Sequence, residues 1–323
     1  MQNKNLALQK IKAMLGGQFL VIGAIGIIVA FSLANSNFFT ASNFSNILNM
    51  VVLTGIMACS MTFVMIGGNF DLSVGSLMAL CVMLSLAVHE IMGPLASVII
   101  TLLAGTMIGM VSGFLIGYLK INSLIITLGV SSILNGVVIV FSNKTVWIDE
   151  ANRTWFVDIG RGLVGGIVPV SIFILLACVV AFQFVLKRTR FGQQLYAVGG
   201  NYQASRFSGI NDKNVVFTTF ALNGLMAALA GIILGARIMV FQLGVGTGYE
   251  FDVMTGVILG GTSLAGGRGS VVKTFIGVFI LGMLQTGFVM LGMPYYTQWL
   301  IQGAVVVVVV LFDTLSPDFM RRK

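Results

Sequence analysis

The sequence predicts an all-α bundle of membrane-spanning helices. Only 9% of its 323 residues are charged and 57% are apolar, whereas a soluble chain carries about 25% charge. Apolar runs approach or exceed the ~20 residues that a spanning helix needs; 95–117 is the longest, with 172–186 and 297–312 close behind. A spanning segment is either a helix or a strand of a closed barrel, because lipid offers the backbone no hydrogen-bond partners. Barrel strands alternate with period two. Runs such as Val305–Val310 do not.

Taken in order, the candidate spans are 19–36, 47–66, 76–92, 95–117, 124–141, 168–186, 215–236, 252–266, 271–292 and 297–312. The first follows a polar stretch bearing Lys4, Lys10 and Lys12 and lacks a cleavage site, so it reads as an uncleaved helix. The fourth carries Gly105, Gly109 and Gly113 at four-residue spacing. Small residues on one face let helix backbones approach, here within one subunit. The span 252–266 is short and interrupted by glycine, so the count lies between eight and ten. Cys59, Cys81 and Cys178 all fall inside apolar runs and read as packing residues.

Charge orients these spans. Lys and Arg collect on cytoplasmic loops. The N-terminal lysines, the group Lys187, Arg188, Arg190, Arg206 and Lys213, and the terminal Arg321, Arg322 and Lys323 therefore belong inside. The balanced stretch 142–166, with Trp147 and Trp155 suited to the interface, belongs outside. Ten spans with both termini cytoplasmic satisfy every placement. No polar stretch is long enough for an independent core, so residues 1–323 form one transmembrane unit. The net charge of +8 is spread beside the spans and does not point to nucleic acid.

Two breaks stand out, Gly67–Ser76 and Gly260–Ser270, both rich in Gly and Ser between apolar runs. Paired interruptions in two halves of a chain point to a transport site; two unrelated glycine turns also account for them. In the first, Asn69, Asp71 and Ser73 offer hydrogen-bond groups suited to a polyol, and Asp71 or Ser73 also suits a cap for a helix starting near Val74. Thr262 and Ser263 hold the corresponding place in the second. Farther along, Asn201 is a good N-cap for two helical turns over 202–208, stopped by Gly209.

Several function classes lose support. There is no Walker A loop, so ATP is not bound here in that way. The single His89, read with Glu90 as part of a surface turn before Gly93-Pro94, cannot build a metal cluster. No nucleophile–base pair or acid pair is evident, so no catalytic residue is expected. Glu250 and Asp252 open a helix, where anionic side chains favour the dipole. Arg237 follows a span and is expected to snorkel to the interface. From the residues alone the chain is a polytopic transporter or channel, with an ion-coupled carrier of a small polar solute as one alternative.

Four motifs add a family. Gly68-Asn69-Phe70-Asp71-Leu72-Ser73-Val74-Gly75-Ser76, Ile121-Asn122-Ser123-Leu124-Ile125-Ile126-Thr127-Leu128-Gly129, Gly199-Gly200-Asn201 with Ser208-Gly209-Ile210-Asn211, and Gly260-Gly261-Thr262-Ser263-Leu264-Ala265-Gly266-Gly267-Arg268-Gly269 resemble the ribose, xylose, arabinose and galactoside permeases of bacterial ABC importers. The likeness runs in order from about residue 38 to 312. Phe70 stands where that family usually carries Ile, and Ser123 where many members carry Pro or Ala. The resemblance implies an inner-membrane subunit importing a pentose or hexose, with a periplasmic sugar-binding protein and a second permease subunit, identical or not. It also implies a separate ATPase with two nucleotide sites holding ATP and Mg, and no cofactor in this chain. Asn69, Asp71, Ser73, Asn122, Thr262 and Ser263 become candidates for the substrate path. Gly200, Asn201, Ala204, Ser205, Arg206, Phe207 and Gly209 become candidates for docking on the ATPase.

Overall fold

A computed structural model describes residues 23–142, 147–149 and 154–314. The described residues are mostly helical, with one small hairpin among them. In order the helices are α1 (Gly23–Ala34), α2 (Ala41–Ile66), α3 (Val74–Met92), α4 (Pro94–Gly117), α5 (Ser123–Phe141), α6 (Trp155–Arg161), α7 (Val170–Arg188), α8 (Arg190–Gly200), α9 (Tyr202–Phe207), α10 (Asp212–Ile238), α11 (Tyr249–Leu259), α12 (Val271–Met290) and α13 (Tyr295–Thr314). Strands β1 (Leu163–Val164) and β2 (Val168–Pro169) pair antiparallel around Gly165 and Gly166, both at positive φ. Among the described residues, seven helices are long and apolar enough to cross a membrane: α2, α3, α4, α5, α7, α10 and α12.

Helix α2 is the axis of the bundle, buried from Ile47 almost without interruption to Ile66. Its N-terminus is capped by Thr40, whose Oγ1 accepts from the Asn43 amide at 3.3 Å. Helices α7, α10, α11 and α12 pack around it, and α3 packs on α10. Beyond them α4 lies along α10 through glycine. A Cβ at Gly109 would sit 2.3 Å from the Phe220 carbonyl, and one at Gly224 would sit 2.2 Å from the Gly105 carbonyl. The four-residue glycine spacing thus serves packing within one chain, as the sequence suggests. Most of α5 faces outward. Cys59 and Cys81 are buried in the packing, and all three cysteines are free thiols.

Five sequence expectations need correction. The helix expected at 252–266 is α11, which stops at Leu259; 260–270 is an irregular turn, because Gly260 and Gly261 end the helix before the serine- and glycine-rich run. The segment 187–214 holds two helices rather than one, since Thr189 caps α8 by accepting from the Gly192 amide at 3.3 Å. Ser73 precedes α3 without a capping bond from its side chain. His89 is buried in the last turn of α3, where its Nε2 lies 2.9 Å from the Thr154 hydroxyl and its ring packs on Phe156. Arg237 does not snorkel. It sits in the last turn of α10, where its Nη1 donates to the Asn49 carbonyl at 3.0 Å while Nε and Nη2 are buried without a partner.

Candidate translocation path and coupling elbow

The two glycine breaks are built alike. Helix α2 ends with Gly67 at φ −69°, ψ −1°, and α11 ends with Gly260 at φ −67°, ψ −3°. Gly68 and Gly261 follow at φ 78° and 81°, the left-handed region that glycine enters at no steric cost. The Gly68 amide donates to Met65 O and the Asn69 amide to Val64 O; Gly261 donates to Ile258 O and Thr262 to Val257 O. Each is a Schellman end, which satisfies the last helical carbonyls. Asn69 and Thr262 are therefore equivalent positions, and the repeat read from the sequence is a repeat of backbone geometry.

The chain also folds the two breaks against each other, with the α8–α9 elbow between them. Gly267 donates its amide to the Ile66 carbonyl at 2.8 Å. A Cβ on Gly266 would stand 3.1 Å from the Gly68 backbone. One on Gly199, near the end of α8, would fall 1.7 Å from the Ile66 carbonyl and 2.8 Å from the Gly267 amide. The Tyr196 hydroxyl donates to the Gly269 carbonyl at 2.7 Å, and burial pushes that phenol above its ordinary pKa.

After Gly68 the chain runs without helix to Ser73, and its backbone groups need partners. Helix α5 supplies two. The Phe70 amide donates to Ser123 Oγ and the Leu72 amide to Thr127 Oγ1, each at 3.2 Å. Asp71 turns into the core. Its Oδ1 accepts from the amide and hydroxyl of Ser73 at 2.8 and 2.6 Å, and its Oδ2 accepts from Asn223 Nδ2 at 2.8 Å. The Ser60 hydroxyl closes the network on Asn223 Oδ1 at 2.7 Å. Irregular backbone and a buried acid are thus both satisfied by protein groups.

The structure brings two of the path candidates together. Asn69 and Asn122 line a cavity of about 380 Å³ with Ser123, Lys120, Gly199 and Tyr202. Asn122 also caps α5, accepting from the Leu124 amide at 2.9 Å. Asp71 and Ser73 are occupied by the network above. Thr262 is buried with its hydroxyl unpartnered, and Ser263 Oγ accepts from the Ala265 amide at 3.3 Å within the second break.

At the elbow, Asn201 caps α9 by accepting from the Ala204 amide at 3.0 Å, and Gly209 stops the segment at φ 77°. Gly200, Asn201, Ala204 and Arg206 are exposed, and Phe207 is 92% exposed. Ser205 is buried, its hydroxyl donating to the Tyr202 carbonyl at 2.8 Å. Sequence reasoning missed the group that ties this elbow down. Asp212 pairs with Lys120, accepts from the Tyr202 hydroxyl at 2.8 Å and lies 3.9 Å from Arg206 Nε. Burial disfavours the Lys120 charge, yet its bonds to Asp212 and Tyr202 hold the ammonium above its ordinary pKa. Lys120 itself adopts φ 58°, rare for a residue with a Cβ. Asp212 thereby links α9 to the loop that opens α5.

A family model for the permease component of the branched-chain amino acid transport system matches residues 43–310. The chain belongs to this permease family. Within it, the permease is 38% identical over 307 residues to the ribose import permease protein RbsC of Escherichia coli K12, covering 94% of this chain and 95% of that one. The L-arabinose ABC transporter permease protein AraH of Azospirillum brasilense is 34% identical, with 92% and 89% covered. The xylose transport system permease protein XylH of Escherichia coli K12 is 30% identical, with 92% of each covered. No solved structure matches the permease.

Proposed function

We propose that this permease forms the membrane path of an ATP-driven importer for a pentose or hexose. Relatives named for ribose, L-arabinose and xylose import support the solute class. One observation carries the coupling: the elbow that exposes Phe207 is the element whose Gly199 presses on both breaks. A force applied to α9 reaches the path walls through backbone contacts alone.

On this reading the seven long helices are joined by α1, α13 and the broken span formed by residues 240–248 with α11, giving ten. Both termini and the elbow are cytoplasmic, in keeping with Lys187, Arg188, Arg190, Arg206 and Lys213 around it. ATP and Mg are held by a separate ATPase with two nucleotide sites, and a periplasmic binding protein delivers the sugar. A second permease subunit, identical or not, completes the membrane path.

The test is sugar uptake into vesicles holding the permease with and without its ATPase. Accumulation that requires ATP and the ATPase supports the reading. Accumulation by the permease alone, driven by an ion gradient, overturns it. For orientation, single cysteines at Gln203 and Val164 are labelled in intact cells with an impermeant maleimide. Labelling at 164 with protection at 203 is expected; the reverse pattern refutes the topology.

A further inference from the structure

A cavity of about 440 Å³ lies between α3, α5 and the chain that enters α11, inside the ~300–1,000 Å³ range of small-molecule sites. Five polar side chains from three elements face it: Ser76 of α3, Ser131 and Asn135 of α5, and Thr247 and Glu250. The remaining lining is small or apolar.

Helix α5 explains how polar groups reach this depth. Ser123, Thr127, Ser131 and Asn135 recur every four residues, so they form one polar stripe on an otherwise apolar helix. The first two are consumed by the Phe70 and Leu72 amides. Ser131 and Asn135 continue the stripe opposite the irregular chain of residues 243–247, and among the described residues neither side chain has a hydrogen-bond partner.

Glu250 is positioned with equal care. Residues 244–248 pass so close to the start of α3 that a Cβ on Gly75 would lie 2.3 Å from Glu250 Oε2 and 2.5 Å from the Gly246 carbonyl. Only glycine at 75 lets the carboxylate rest there. The carboxylate then lies in the first turn of its own helix, α11, and beside the first turn of α3. Two helix N-termini, each positive in partial charge, offset part of the cost of holding an anion there without a cationic side chain. The ion pairs of Asp212 with Lys120 and Arg206 do not involve it.

We propose that this cavity is a hydroxyl-recognition site for the transported sugar, with Glu250 as its acceptor for a vicinal diol and Asn135 as its two-way partner. A carboxylate offers two oxygens to adjacent hydroxyls, while an amide both donates and accepts. A neutral polyol supplies donors to Glu250 and groups of both kinds to Asn135, Ser131, Ser76 and Thr247. Because Ser131 and Asn135 continue the polar stripe that Ser123 opens, winding slowly around α5, this site and the Asn69–Asn122 cavity are successive stations along one helix. The assignment rests on the monosaccharide reading above.

The test compares wild type, Glu250→Gln and Asn135→Ala in the complete importer, with ATPase and binding protein, in proteoliposomes. Asn135 is exposed, so its variant leaves packing untouched. The probes are D-ribose, D-xylose and L-arabinose, then singly deoxygenated analogues of whichever is transported. Both variants should lose at least tenfold in uptake while binding-protein-stimulated ATP hydrolysis stays within twofold. In Glu250→Gln, the penalty for removing one particular hydroxyl should shrink relative to wild type; recognition by the shared binding protein cancels in that ratio, and a merely structural role would leave it unchanged. Wild-type uptake by both variants, or an identical analogue profile in Glu250→Gln, overturns the site while leaving the importer intact. Sodium-dependent uptake lost in Glu250→Gln overturns it in favour of a cation site. If the wild-type importer accumulates none of the three pentoses, and neither D-glucose nor D-galactose, the monosaccharide reading itself fails, and this ligand class with it.

Discussion

The Gly267 amide donates to the Ile66 carbonyl at 2.8 Å, which pins the second glycine break onto the end of the helix that precedes the first. Gly199 lies against both partners of that bond. The three segments meet with no side chain between them.

Gly199→Ala is therefore expected to disrupt the junction. Its Cβ would fall 1.7 Å from a carbonyl oxygen, which only backbone movement can relieve. Uptake should fall at least tenfold, with a lower melting temperature in detergent. Gly200→Ala is the control, because nothing lies within 4 Å of its Cβ position; its melting temperature should match wild type. Equal behaviour of the two variants would refute close packing at the elbow.

Phe207→Ala should separate docking from folding. An exposed ring contributes little to the fold, so the melting temperature should stay within about 1–2 °C. Buried aromatic anchors at interfaces are worth about 2 kcal/mol or more, so co-purification of the ATPase should weaken at least tenfold. Unchanged co-purification would move the docking surface elsewhere.

Lys120→Met removes the ion pair that holds Asp212 to the loop before α5. Asp212 is buried and Lys120 39% exposed, so leaving the carboxylate to Tyr202 and Arg206 costs about 1–3 kcal/mol; the melting temperature should fall by a few degrees and assembly should survive. The expected loss is in coupling: ATP hydrolysis persists, while sugar moved per ATP declines severalfold. Simultaneous measurement of phosphate release and uptake decides this; an unchanged ratio would show that the tie transmits nothing.

Asn223→Leu leaves an oxygen of the buried Asp71 carboxylate, and the Ser60 hydroxyl, without their amide partner. Orphaning a buried polar group costs about 1–3 kcal/mol, more when it is charged. The melting temperature should fall by several degrees. Asp71→Asn in the same background should recover part of the loss, since a neutral amide is cheaper to leave unpaired. Failure of that partial rescue would argue against the network as a source of stability.

Much of this architecture was legible from the sequence. Apolar runs gave the long helices because burial in lipid admits little else, and Asn201 with Gly209 marked α9 because cap and stop are local chemistry. The breaks were visible as glycine clusters, but their contact with Gly199 was not, since it joins segments far apart in the chain. Asn223 is one polar residue in an apolar helix, and only packing shows that it answers Asp71. Glu250 was read as a helix-end charge, which it is, yet nothing local reveals Gly75 beneath it. The spacing of Ser123, Thr127, Ser131 and Asn135 is the one signal that would have led to the α5 face.

The pairing of Asp71 with Asn223 also sets an order of assembly. The two residues are 152 positions apart, so at about 5–20 residues per second the ribosome takes roughly 8–30 seconds to pass from one to the other. For that interval the nascent chain holds an acid whose distant partner does not yet exist. Helix α3 completes its docking only after α10 arrives, since α10 is the helix it packs on most extensively.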